Sequence, residues 1–342
     1  VDAAALNHFH FADDALLRKR AVKWMREHAE EPFFAMLFFT APHSSYDPPP
    51  GYRQFYEGLP EGHIVAVPKR EYPRGMKPGD LAWTLAAYDG EIAYMDAQVG
   101  ALLAALEELG LREETTIAVT ADHGEAFGDH NCFEHAYHQW ESVLRVPLIL
   151  DSPAFDAAGV YDDRPTTHVD LAPTLLDLAG VDVADGDLPG VPLAANLADP
   201  SAGRDRLVAS LYNAHGIQRE SLRKGRYKLV HHHDVDRSVV EHINVLHSHR
   251  PAPSPHDLPT VAFDGERWEL YELAADPGEE KNLFDARKTA PETVELIAAL
   301  EEIIEPAEDE SVELDPELRE ALERLGYLGN EERVIERKPD TP

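Results

Sequence analysis

The stretch from Thr115 to His130, TTIAVTADHGEAFGDH, constrains the fold more than any other part of the chain. It opens with the β-branched and apolar residues Thr115, Thr116, Ile117 and Val119, then breaks abruptly into acid, histidine and glycine. The first half reads as a buried strand of a parallel sheet, where both faces are covered and apolar residues run without alternation. The second half begins at that strand's carboxyl end, where open α/β sheets place their binding crevice. Asp122 and His123 set a hard carboxylate oxygen beside an imidazole nitrogen, a donor pair suited to a divalent cation. Gly124 and Gly128 let the backbone turn closely around such an ion. An Asp-His pair after a strand is also ordinary loop chemistry, so the pair by itself leaves both readings open.

The surrounding sequence alternates helix and strand. Asp13-Asp14 precede an amphipathic helix that Glu31-Pro32 end. Phe33 to Thr40 is a continuous apolar run, read as a central strand, and it runs into the proline-rich loop Ala41-Pro42-His43. His43 therefore sits at a second strand exit, open to a catalytic or a structural role. Residues 51–79 form an irregular loop of the length that functional segments favour. Asp80 to Leu109 predicts a long helix, with Leu81, Leu85, Tyr88, Ile92, Met95, Val99, Leu102, Leu103 and Leu106 as its core stripe and Gly110 as its stop. A strand at Val146 to Leu150 and a helix from His168 to Gly180, with Pro173 in its first turn, complete a doubly wound α/β pattern. Short strands at 207–212, 216–222, 227–231 and 268–273 predict a small antiparallel sheet. Helices are expected at 291–304 and 316–325, and the tail from Asn330 reads as disordered. The expected organisation is an α/β domain over 1–203, an antiparallel-sheet subdomain with terminal helices over 204–329, and a tail over 330–342. The run His231-His232-His233 offers metal-binding side chains, but at a strand end with no partner spacing it reads as solvated surface.

Charge narrows the partners. The net charge is -33, from 64 acidic against 31 basic residues. A surface so acidic stays hydrated where salt screens its self-repulsion, so a halophilic source is expected, and nucleic acid is excluded as a natural partner. The single Cys132 rules out an intramolecular disulfide and reads as a plain thiol. No apolar run reaches transmembrane length and no secretory signal is visible, so a cytoplasmic protein without a membrane segment is expected. The chain opens at Val1 rather than a methionine.

Four groups of residues, in order, resemble the sulfatase family (arylsulfatase-like) of the alkaline phosphatase superfamily. They are Thr40-Ala41-Pro42-His43 with Tyr46 and Pro48; Tyr88-Asp89-Gly90-Glu91 leading to Thr120-Ala121-Asp122-His123-Gly124-Glu125 and Gly128-Asp129-His130; Phe133-Glu134-His135 with Leu144-Arg145-Val146-Pro147; and His168-Val169-Asp170-Leu171-Ala172-Pro173-Thr174 with Leu270-Tyr271-Glu272-Leu273, Asp276-Pro277-Gly278-Glu279 and Asn282-Leu283. The resemblance implies an alkaline-phosphatase-like, mostly parallel sheet flanked by helices, with a small C-terminal antiparallel sheet plus helix. It implies that Asp122 and His123 are ligands of a divalent cation, Ca2+ in the family, and that His43 and His135 contact the anion and serve catalysis. His135 falls where many relatives carry lysine, and His130 is a supporting residue. The implied substrate is a small-molecule or saccharide sulfate ester. A phosphoesterase or phosphonate monoester hydrolase of the same superfamily, and a non-catalytic fragment or degenerate paralogue, remain alternatives. Two family features are missing: the Asp-Asp pair of the first strand, and the C/S-x-P-x-R motif whose Cys or Ser becomes the formylglycine nucleophile. Cys132 is followed by Phe133-Glu134-His135-Ala136 and does not match that motif. The chain is therefore expected to be the carboxyl-terminal two-thirds of a sulfatase.

Overall fold

In the computed structural model, residues 14–43, 46–62, 79–131, 133–135, 138–155, 164–182, 188–193, 203–214, 217–235 and 265–304 are described. Asp13, Cys132, the helix expected at 316–325, the tail, and most of the segments 51–79 and 232–265 lie outside them. Helix α1 (Asp14–Glu27) packs along α2 (Asp80–Glu108), where Arg18 Nε donates to Gln98 Oε1 at 2.9 Å and Tyr94 Oη accepts the Ala15 N–H at 3.1 Å. Helix α2 ends at Gly110, whose φ of 71° is left-handed, as its sequence predicts.

Of the expected stripe of α2 only Leu106 is buried. Leu81, Leu85 and Ile92 are exposed, whereas Thr84, Ala87, Gly90, Glu91 and Gln98 are buried. The helix is apolar nearly all round, so periodicity could not select its inner face. Close approach selects it: a Cβ on Gly90 would lie 2.5 Å from the Tyr52 carbonyl and 2.8 Å from Pro48 Cγ. The loop after His43 thus lies directly on small residues of the helix. Glu91 pins it by accepting the Asp47 N–H at 2.7 Å.

Strand β1 (Ile117–Thr120) pairs with β4 (Leu148–Asp151), and between them β2 (Ala126–Phe127) and β3 (Phe133–Glu134) form a short hairpin. Helix α3 (Glu141–Leu144) leads into β4, and α4 (Leu171–Leu178) follows a single tight turn at His168–Asp170. The α/β class is as expected, but every ladder among the described residues is antiparallel. β1 alternates half-buried and exposed residues, so it is a half-covered ribbon strand rather than the buried parallel strand expected of its apolar run. The apolar run Phe33 to Thr40 joins none of these sheets; it lies outside regular strand structure and leaves Phe34 76%, Met36 79% and Phe38 50% exposed.

The C-terminal strands meet their prediction closely. β5 (Leu207–Ala214), β6 (Ile217–Lys224), β7 (Tyr227–His232) and β8 (Arg267–Glu272) form one antiparallel sheet in chain order. Register puts Leu222, Leu229 and Leu270 in one row. They are fully buried with Leu296 and Leu300 of α6 (Pro291–Ile304), which follows the single-turn helix α5 (Phe284–Arg287). Each such leucine contributes roughly 1.5–3 kcal/mol of hydrophobic stabilisation. The opposite face carries Val230 and Tyr271 against Trp140. There Lys228 Nζ sits 2.9 Å from Glu141 Oε1 and 2.8 Å from Glu279 Oε1, almost wholly buried. No helix among the described residues is long and apolar enough to cross a membrane.

Candidate active site

β1 delivers Asp122 and His123 to its carboxyl end. Asp122 Oδ1 accepts the His123 backbone N–H at 3.0 Å, and Oδ2 stands 3.7 Å from His123 Nε2. His123 Nδ1 lies 2.9 Å from the Gly124 carbonyl. A carbonyl only accepts, so Nδ1 carries the hydrogen, and in the neutral ring Nε2 keeps its lone pair on the Asp122 side. The Asp122 side chain is 45% exposed.

The β2–β3 hairpin folds the chain back so that His135 returns to this strand end. Its ring stacks on His123, with centroids 3.9 Å apart at 22°. His135 Nδ1 is 3.3 Å from Glu125 Oε1, and the Tyr46 hydroxyl donates to Glu125 Oε2 at 2.9 Å. The His43 ring centroid lies 5.8 Å from that of His135. The structure thus brings all four predicted residues into one row: Asp122, His123, His135 and His43.

What holds His43 there is Asp14. Its two carboxylate oxygens accept the Thr40 and Ala41 N–H groups at 2.9 and 3.0 Å, and His43 N–H closes the turn onto the Thr40 carbonyl at 2.8 Å. In the sequence Asp14 reads only as a helix start; its burial to 5% exposure reveals the second task. Glu91 makes the matching tie from α2, and burial pushes its carboxyl up to about 7 despite the Asp47 N–H that favours the charged form.

Gly124 is also required by close packing: a Cβ there would lie 2.2 Å from the Ser142 carbonyl, and its N–H donates to Val143 O at 2.7 Å. Gly128, with φ of 108°, makes the left-handed turn ahead of β3. His130 does not stand beside the row but stacks on Trp140 at 4.1 Å, where burial lowers its pKa. Two supporting residues escaped the sequence reading. Glu125 follows Asp-His-Gly directly, yet only its burial shows that it bridges Tyr46 and His135. His168 Nε2 meets the Ala121 carbonyl at 2.8 Å, bracing the strand exit from the α4 side. Nearby Asp170 is fully buried and takes both Arg206 nitrogens at 2.6 and 2.7 Å, which accounts for the His-Val-Asp motif structurally.

The sulfatase family model matches residues 2–181, more than half of the chain. The chain belongs to the sulfatase family. This sulfatase-family chain is 28% identical to an N-acetylglucosamine-6-O-sulfatase of Bacteroides thetaiotaomicron, covering 74% of the chain and 41% of the relative. It is 34% identical to an arylsulfatase of Clostridium perfringens over 47% of the chain and 36% of the relative. The chain therefore spans well under half the length of these curated relatives. The fold is shared with a protein solved in complex with its substrate D-glucosamine-2-N,6-O-disulfate (TM-score 0.63, 20% identity, 85% of this chain and 69% of that one). It is shared equally with the phosphonate monoester hydrolase of Agrobacterium radiobacter (TM-score 0.63, 24% identity, 85% of this chain and 60% of that one).

Proposed function

We propose that this chain supplies the cation half-site and the anion-contacting histidines of a sulfate ester hydrolase. The single observation carrying this is the row in which His123 stacks on His135, with His43 beyond it and the Asp122 carboxylate at its end. Sulfate ester hydrolysis requires in-line attack on sulfur, positive charge on the non-bridging oxygens, and a proton for the leaving alcohol. His135 and His43 stand side by side, ring centroids 5.8 Å apart, and as imidazolium each offers N–H donors to sulfate oxygens. An imidazolium can also hand a proton to the leaving oxygen. Glu125, accepting from His135 Nδ1, fixes that ring so that its Nε2 edge faces away from the carboxylate.

The donor set fits part of a cation site. His123 keeps Nε2 free of the Gly124 contact and toward Asp122, so the two would hold a divalent ion jointly. Such an ion supplies Lewis-acid stabilisation of the sulfate oxygens when bound. Calcium, the ion the resemblance implies, takes about six to eight oxygen ligands, so the paired acids of the family's first strand are needed to complete the shell. The nucleophile likewise comes from the family's C/S-x-P-x-R motif rather than from any residue placed here. On this reading the present chain by itself binds calcium weakly, and tight stoichiometric binding would show the ligand assignment wrong.

The experiment is a side-by-side assay of an aryl sulfate, an aryl phosphate and a phosphonate monoester with the protein at its natural length. Preferential sulfate hydrolysis supports the proposal. Preference for the phosphorus esters would replace it with the phosphonate hydrolase reading, and no turnover of any ester would leave a binding protein.

A further inference from the structure

The histidine run 231–233 behaves differently from the solvated surface its sequence suggests. β6 supplies what the sequence spacing hid. In the β6–β7 ladder Glu220 stands directly opposite His231, and His233 follows two residues on from His231. The Glu220 and His231 side chains are 3% and 8% exposed and His233 33%, so the cluster is inside the sheet face and reached from the His233 side. Glu220 Oε2 is 3.4 Å from His231 Nδ1 and 2.8 Å from His233 Nε2, and one ligand atom from each residue lies within 4.8 Å of the others. Zinc bonds of about 2.0–2.2 Å in tetrahedral array require ligand atoms roughly 3.4 Å apart. Small side-chain shifts bring the three onto one ion.

The surroundings are arranged as a metal's second shell would be. His231 cannot swing away, because its ring lies flat on Trp268 with centroids 3.8 Å apart at 7°. Its Nε2 meets Glu266 Oε1 at 3.2 Å, the carboxylate–histidine pairing that leaves the other nitrogen as the donor. That other nitrogen, Nδ1, is buried and faces Glu220 Oε2 at 3.4 Å. Gln218 Nε2 donates to Glu220 Oε1 at 2.7 Å, orienting the carboxylate so that Oε2 faces the histidines.

From this geometry we infer a second metal site, independent of the Asp122 half-site, in which Glu220, His231 and His233 bind one zinc-class divalent transition ion. Two imidazoles and one carboxylate favour zinc, cobalt or a similar ion over calcium, which takes oxygen donors. Three protein ligands leave the fourth position to water or an exogenous ligand on the half-exposed side. In the metal-free form the Nε2 hydrogen of His233 occupies the position between that ring and Glu220; as a ligand the neutral ring would carry its hydrogen on Nδ1 and leave the Nε2 lone pair for the ion.

The test uses the full chain, stripped with a chelator and titrated with Co2+ and Zn2+, in a background carrying Asp122→Ala and His123→Ala to remove the other site. One equivalent of Co2+ is expected to give visible ligand-field absorption that one equivalent of Zn2+ displaces and excess Ca2+ does not. His233→Ala should abolish the absorption while the metal-free protein still unfolds in one cooperative transition, at a lower temperature because buried Glu220 loses a partner. Glu266→Gln should weaken Zn2+ binding by about 10–100-fold, as loss of a second-shell partner does elsewhere. Absence of ligand-field absorption in the folded background protein, or absorption that survives His233→Ala, overturns the site.

Discussion

The strand-exit region and the C-terminal sheet are built from similar stretches of apolar sequence but are stabilised in opposite ways. In the sheet, three leucines in register meet two from α6 and all five are buried. At the strand exit, Phe34, Met36 and Phe38 point outward, and position is held by polar ties: Asp14 to Thr40 and Ala41, Glu91 to Asp47, Tyr46 to Glu125. The sheet's stability is non-directional and forgiving of chemistry. The site's placement rests on a few buried carboxylates, each with a specific partner, which is what orienting His43 and His135 demands.

The largest effect should come where the sheet meets the start of α3 and the loop after β8. Lys228→Ala leaves Glu279 buried without its cation, and a loss of about 3–5 kcal/mol in denaturant unfolding is expected. Next, Leu229→Ala should cost about 2–5 kcal/mol, since a fully buried side chain leaves a cavity. Phe34→Ala, on the exposed run, should stay within about 0.5 kcal/mol. Equal losses for Leu229 and Phe34 would erase the contrast between the regions. Asp14→Ala strands two backbone N–H groups and should cost about 1–3 kcal/mol, with a larger proportional loss of turnover because His43 is released. An Asp14 variant that kept full activity would show that His43 is placed by something else.

A further comparison separates the regions by pH. Glu91 is raised from 4.5 to about 7, so its contribution is full below about 4.5 and is lost as pH rises through 7. Glu269 is the reverse. Burial by itself would raise it, but the hydrogen bond from His232, the charges of His232 and Arg267 and the Trp140 N–H hold it at about 2. Its contribution is present above 4.5 and is lost as pH falls toward 2. Stability profiles of Glu91→Gln and Glu269→Gln should therefore flatten above pH 4.5, up to about 7, and below pH 4.5, down to about 2, respectively. Flattening on the same side would refute the assignment of either carboxylate.

The sheet was largely legible in the sequence because alternation and turn residues fix strands locally: the predicted 227–231 became Tyr227–His232. The inner face of α2 was not, because an all-round apolar helix carries no phase, and Gly90 against Pro48 is a long-range contact. The four site residues were legible through the resemblance. Their support by Asp14, Glu125 and His168 was not, since a buried carboxylate and a surface one look alike in sequence. The same limit hid Glu220, whose pairing with His231 exists only through the β6–β7 register.

The most direct measurement is aryl sulfate turnover by the natural-length protein carrying His135→Ala or Asp122→Ala, alongside its thermal unfolding. Both side chains are partly exposed and outside the sheet core, so melting should be unchanged while kcat falls by about 100-fold or more, the scale of a lost acid–base or electrostatic contact. Full activity in either variant with the fold intact would contradict the placement of the active site at this row of histidines.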